Sequence, residues 1–202
     1  GDVAAATRHG IPVGNTPGVL TEATAEMCVA LAFAAARRVP EADVFMRSGR
    51  YEGWLPTLFI GELFSGKTVG VIGMGRIGFA FARMMAGACR MHVAYYDPHC
   101  TLPVADYFSA LSEFFVSRGE EPITCTCCNT LQELCEMADL VSINTVLNAE
   151  THHIVDARTL SWMKPNAVFI NAARGPVVDE AALVEHCRKN PDFKAGLDVF
   201  ED

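Results

Sequence analysis

From Lys67 onward, short apolar runs alternate with longer segments whose apolar residues recur every three or four positions. Runs such as Thr68-Val69-Gly70-Val71-Ile72 suit strands buried on both faces, and the intervening segments suit helices lying on a sheet. The pattern predicts strands over 68–72, 91–96, 123–127, 139–143, 167–171 and 194–199, and helices over 76–89, 104–117, 130–137, 156–163 and 179–189. Such alternation points to an α/β fold, a doubly wound parallel sheet with helices on both faces. Val104, Tyr107, Phe108, Leu111, Phe114 and Phe115 have helical spacing and are expected to pack as core.

The first third differs. Residues Ile11 to Gly18 predict a short strand and a turn, and Thr21 is expected to cap a long helix that runs to about Arg38 and continues brokenly to Ser48. Leu31, Ala34, Ala35 and Arg38 are its predicted packing face. Residues Gly49 to Phe64 carry Tyr51, Trp54, Leu55, Leu58 and Phe59, too much apolar surface for a solvent loop, and predict an interface and a homodimer. The chain therefore divides into a lead-in (1–20), a helix with a dimerisation arm (21–64) and a strand–helix core (65–202).

The strongest chemical signal is the turn after the first core strand. Gly73-Met74-Gly75-Arg76-Ile77-Gly78 is a G-x-G-x-x-G run between a predicted strand and a predicted helix, and Asp97 follows Gly78 by nineteen residues at the end of the next apolar run. Gly73 permits a tight turn, Gly75 a close approach to a pyrophosphate, and Gly78 close packing of helix on sheet. The N–H groups at Arg76 and Ile77 open a helix whose positive end faces the phosphates. Asp97 would accept hydrogen bonds from the adenosine ribose and repel a 2′-phosphate, so NAD(H) is expected over NADP(H).

Composition narrows the partners. Half the 202 residues are hydrophobic, enough for a sizeable core, while a net charge of -8 and a pI near 5.2 argue against nucleic acid or an anionic membrane. The richest apolar stretch, Met27 to Ala36, is too short to cross a bilayer. The chain starts at Gly1 without a signal-like segment, as expected of a processed or excised sequence. Eight cysteines lie scattered through predicted elements, and reduced thiols are expected. The group Cys125, Cys127, Cys128 and Cys135 lacks zinc-finger spacing and predicts a cysteine-tolerant strand edge, with redox control left open. No metal site is expected.

The segments GKTVGVIGMGRIG, NTPGVLTEA, LSWMKPNAVFINAARGPVVDE and KAGLDVFED resemble the D-isomer-specific 2-hydroxyacid dehydrogenases over nearly the whole chain. VGNTPGVLTE and EADVFMRSGRYEGWLPTLF are most similar to the family's plant and algal hydroxypyruvate reductase branch. The resemblance implies a Rossmann-type NAD-binding domain, a small 2-oxo or 2-hydroxy acid substrate, and NADH-dependent reduction of hydroxypyruvate to D-glycerate with glyoxylate as a second substrate. It implies that Arg174 binds the substrate carboxylate and polarises the keto oxygen; pairing with Asp179 or helix capping is the structural alternative. Thr24, Thr145, Ala172, Ala173 and Asp198 match cofactor-lining positions. Asn144-Thr145-Val146 departs from the His and Pro common in the family, and residues 99–129 are longer than in most relatives. The resemblance places the catalytic Glu just after Asp202 and the catalytic His farther on, with most of the substrate domain outside this sequence; the 202-residue chain alone is expected to be inactive. His9, His92, His99, His152, His153 and His186 are expected at the surface or in turns. Family relatives suggest a soluble intracellular protein of peroxisome or mitochondrion. Another D-2-hydroxyacid dehydrogenase, or an NADH-sensing corepressor, is the alternative.

Overall fold

In the computed structural model, which describes residues 2–201, the core is one six-stranded parallel sheet. Its strands are β1 (Thr68–Ile72), β2 (His92–Tyr96), β3 (Cys125–Cys127), β4 (Leu140–Ile143), β5 (Val168–Asn171) and β6 (Lys194–Leu197), in spatial order β3-β2-β1-β4-β5-β6. The order in which successive strands are added reverses at the parallel β1–β4 pair, and the loops leaving these two strands diverge to open a crevice. The doubly wound fold predicted from alternation is the observed one.

Period-two burial sorts the side chains into two layers. Val69, Val71, Val93, Tyr95, Leu140, Val168 and Ile170 face α2 (Thr21–Ala36), α4 (Arg76–Cys89) and α5 (Val104–Ser117). Ile72, Ala94, Val141, Ile143 and Phe169 face α6 (Leu131–Met137), α7 (Ala157–Trp162) and α8 (Glu180–Lys189). A β-carbon on Gly70 would sit 2.7 Å from Ala138 Cβ and 2.9 Å from Leu134 Cδ2, so α6 rests almost directly on β1. Three helices start as capping chemistry dictates: Thr130, Asp156 and Asp179 each accept from an N–H in the first turn. Predicted and observed element ends differ by one or two residues.

Before the sheet, the outcome departs from expectation. Residues 11–18 form no strand, since Pro12 and Pro17 lack a donor and Gly14 adds no packing; a short helix, α1 (Val3–Arg8), capped by Asp2, precedes them. Thr21 is the first helical residue of α2, and the cap position is Leu20, with no side-chain hydrogen bond. The fully buried stripe of α2 is Ala25, Cys28, Ala32 and Ala36; the predicted Leu31, Ala34, Ala35 and Arg38 flank it and are only partly buried, Leu31 and Ala35 packing against the core. Close approach selects small residues: a β-carbon on Gly196 would come within 3.2 Å of Leu31 O, and one on Gly61 within 2.5 Å of Ala36 O. Arg38 adopts a left-handed backbone that breaks the helix before α3 (Val39–Arg47).

Candidate functional site

Strand register assembles the site. Tyr96, Ile72, Ile143, Asn171 and Leu197 lie in one row across the sheet. The residues immediately past that row are Asp97, Gly73, Asn144, Ala172 and Asp198. Positions scattered over a hundred residues of sequence thus emerge at the carboxyl edge, where open α/β sheets hold ligands.

The glycine turn is committed to its shape. Gly73 has φ +91°, and a β-carbon there would press within 3.0 Å of Asn144 and Thr145. A β-carbon on Gly78 would lie 2.1 Å from Gly73 O, so the helix can begin this close to the strand only with glycine. Gly75, the cap residue of α4, faces open space. Arg76, Ile77 and Gly78, the first residues of α4, therefore carry N–H groups without intrahelical acceptors, beside the open space at Gly75. Asp97 closes the turn from the side: its carboxylate accepts from Met74 N at 2.9 Å and His99 N at 2.8 Å. The carboxylate is thereby held in place with further lone pairs to offer a ligand.

Two cavities share one wall. The first, about 370 Å³, lies between Gly73, Gly75, Asp97, His99 and the loop carrying Asn148 and Thr151. The second, about 600 Å³, is bounded by Leu20, Thr24, Ile77, Ala172, Ala173 and Arg174. Asn144, Thr145 and Val146 line both. Thr145 Oγ1 is buried and has no hydrogen-bond partner among the described residues, as a wall that awaits a polar ligand would leave it. An elongated dinucleotide fits this chain of features: acidic acceptor, glycine cradle, orphaned hydroxyl, then an apolar pocket ending in a cation.

Arg174 is exposed and bonded through Nη1 only to its neighbour Ala173 O. The alternative pairing with Asp179 does not occur, because Asp179 caps α8. Buried Asn171 holds the Arg174 turn, accepting from Ala173 N at 3.0 Å and donating to Arg174 O at 2.9 Å. Asp198 reaches the same edge, its N–H donating to Asn171 O, but it is exposed and lines neither cavity.

The profile of the D-isomer-specific 2-hydroxyacid dehydrogenase NAD binding domain matches residues 29–202. The chain belongs to this family. Its domain binds NAD(H), and the elements that would hold the dinucleotide are those just described. Over the whole chain it is 52% identical to glycerate dehydrogenase of Cucumis sativus and 51% identical to the peroxisomal glycerate dehydrogenase of Arabidopsis thaliana, spanning 53% and 52% of their lengths. Among solved structures it resembles an NADPH-dependent glyoxylate/hydroxypyruvate reductase from Sinorhizobium meliloti, crystallised with NADP and malonate, at 36% identity and a TM-score of 0.78, covering 100% of this chain and 57% of that one. The chain thus spans about half the length of the dehydrogenases it matches.

Several members of the site were not foreseen. Asn148 and Thr151 line the first cavity without belonging to any motif considered, and Leu20, within the NTPGVLTEA stretch but given no role there, lines the second. Below the shared wall, Asn144 donates to Ser142 Oγ at 3.1 Å, and the Cys28 thiol lies 3.8 Å from Asn144 Oδ1. Burial pushes the Cys28 thiol up, with the Asp198 charge adding to the same direction. A serine in the otherwise apolar Leu140-Val141-Ser142-Ile143 run was the available signal. At the opposite edge, β3 is the cysteine-bearing edge strand expected. Burial holds Cys125 up at about 12, Cys128 at about 11 and Cys135 at about 12, so these thiols keep their protons at neutral pH and are poor nucleophiles.

Proposed function

We propose that this chain is the cofactor half of an NADH-dependent hydroxypyruvate reductase that forms D-glycerate, with glyoxylate reduced to glycolate as a secondary activity. The observation that carries the proposal is the pair of cavities that share the Asn144–Val146 wall, one lined by Asp97 and the other by Arg174. NADH supplies the hydride. Gly73, Gly75, Arg76, Ile77 and Gly78 receive the pyrophosphate, and Asp97 accepts the ribose hydroxyls. Thr24, Thr145, Ala172, Ala173 and, from the sheet edge, Asp198 surround the nicotinamide end. Arg174 binds the carboxylate of the 2-oxo acid with its planar fork and draws electron density from the keto oxygen. The proton comes from a Glu–His pair placed by family resemblance beyond Asp202.

The protein works as a homodimer in this proposal. Trp54 is 79% exposed, and Met27, Val44, Leu55 and Ile60 are exposed with it on the α2–α3 side, a large apolar area for a monomer to leave in water. By analogy with the Arabidopsis relative the compartment is the peroxisome, and the resemblance to the plant and algal branch implies a photorespiratory role. No helix among the described residues is long and apolar enough to cross a membrane.

Steady-state kinetics with hydroxypyruvate, glyoxylate and pyruvate on the protein carrying this chain test the proposal. The highest kcat/KM is expected for hydroxypyruvate with NADH; a preference for pyruvate would move the protein to another branch of the family, and NADH binding without turnover of any 2-oxo acid would favour a sensor.

A further inference from the structure

A cluster outside the cleft has the chemistry of a metal site. His152 and His153 end the loop that begins at Asn148, and Glu201 lies on the chain leaving β6. One ligand atom from each of the three lies within 4.8 Å of the other two. The imidazoles face one another, with ring centroids 4.1 Å apart and a tilt of 32°. His153 Nε2 is already 2.9 Å from Glu201 Oε1.

All three positions are built rather than incidental. Asn148 Oδ1 accepts from Glu150 N and Thr151 N, and Thr151 Oγ1 donates to Val146 O, which fixes the loop. His153 sits at φ +50°, a left-handed conformation rare for a side-chain-bearing residue, and its N–H is held by Pro176 O at 2.9 Å. On the other side, Glu201 N donates to Glu180 Oε1, and a β-carbon on Gly175 would overlap Phe200 O at 1.8 Å, so residues 200–201 rest directly on the Arg174–Gly175 turn.

We propose that His152, His153 and Glu201 form a surface site for a borderline divalent metal of the Zn2+ type, clamping the Asn148–His153 loop to the chain that leaves β6. Two imidazoles and a carboxylate suit Zn2+ or Co2+ and are a poor match for Mg2+ or Ca2+, which prefer oxygen donors. Tetrahedral zinc, with bonds of about 2.0–2.1 Å, separates its ligand atoms by about 3.3 Å, so the His153–Glu201 contact has only to open slightly and His152 to close in. The exposed side of His152 leaves the fourth position to water. Occupancy ties the Asn148–Thr151 wall of the Asp97 cavity to the turn that carries Arg174. A simple His153–Glu201 ion pair would give His152 no part, and that difference makes the site testable.

The protein carrying this chain is stripped of metal with a chelator, then titrated with Co2+ by absorbance and with Zn2+ by calorimetry and thermal melting. One Co2+ per chain is expected, with the spectrum of nitrogen and oxygen ligands and no thiolate charge-transfer band, displaced by Zn2+. His152→Ala, an exposed change that spares the fold, and Glu201→Gln should each weaken binding at least ~10-fold and abolish the Zn2+-induced rise in melting temperature. Binding unaffected by His152→Ala, a thiolate spectrum, or no binding below millimolar metal would each overturn the site. None of these readouts depends on dehydrogenase turnover.

Discussion

The sheet core and the Gly49–Leu63 arm are comparably rich in large apolar side chains, yet they meet opposite fates. In the core the apolar side chains of the strands pack against helices of the same chain, down to glycines where one added carbon has no room. In the arm there is no helix or strand; Phe59 packs edge-on against Phe45 at 5.2 Å with Arg38 over its ring, while Trp54 and Leu55 remain in water. Apolar content alone does not make a core. What separates the two regions is hydrogen-bonded backbone that presents those side chains to a partner surface.

The comparison breaks most visibly if a core position tolerates change. Gly78→Ala drives a β-carbon into Gly73 O and should destabilise the protein by at least about 3 kcal/mol while eliminating NADH binding, as measured by denaturant melts and calorimetry. Near-native stability would mean the strand-to-helix turn has slack that the geometry denies. At the rim of the same core, Arg174→Lys keeps the charge but loses the fork. Its kcat/KM for hydroxypyruvate should fall well over ~10-fold with little change in NADH affinity. Retained turnover would remove Arg174 from substrate binding.

Asp97→Ser removes both an acceptor for the ribose and a repulsion of the 2′-phosphate, and should narrow the NADH preference by roughly 10-fold in paired kinetics with NADPH. The arm should respond in another currency. Trp54→Ala with Phe59→Ala is expected to shift sedimentation toward monomer and to leave the circular dichroism of the core unchanged. A dimer that persists would place the interface elsewhere; a core that melts would show the arm to be part of it.

The smallest effect tests a single cap. Asp156 accepts from Thr159 N at 2.8 Å, and this hydrogen bond to the backbone holds its carboxyl below the ordinary aspartate value. Asp156→Ala should cost about 1 kcal/mol at neutral pH. Because the folded value is depressed, the carboxylate's contribution is present above the unfolded aspartate range and lost as pH falls through the folded one. The gap between variant and parent should therefore close in melts taken at progressively lower pH. A gap independent of pH would assign the effect to helix propensity instead.

Much of this was legible from local pattern. Alternating apolar runs, the Gly73–Gly78 spacing with Asp97, and helices beginning near Thr130, Asp156 and Asp179 depend on interactions between residues near in sequence or on a period imposed by backbone geometry. The family motifs likewise named Arg174 and Ala172 before any contact was known. Where the signal failed, the deciding partner was distant. The register of α2 turned on how close β6 and Gly61 come to its backbone, so alanines and a cysteine displaced the larger residues from the buried stripe. The short segment around Pro12 had strand-like composition and no neighbour to pair with.

Local chemistry of the chain therefore settled which elements form and where the glycine turn lies, and it singled out Asp97 and Arg174 as candidates. Only tertiary structure decided that Asp97, Gly73, Asn144, Ala172 and Asp198 share one edge, that Thr145 keeps a buried hydroxyl without a partner, and that His152 and His153 meet Glu201. The physical reason is range. Turns, caps and periodicity act over a few residues, whereas a cleft or a ligand cluster is made by strand register and loop closure between residues tens of positions apart, whose energies no local pattern encodes.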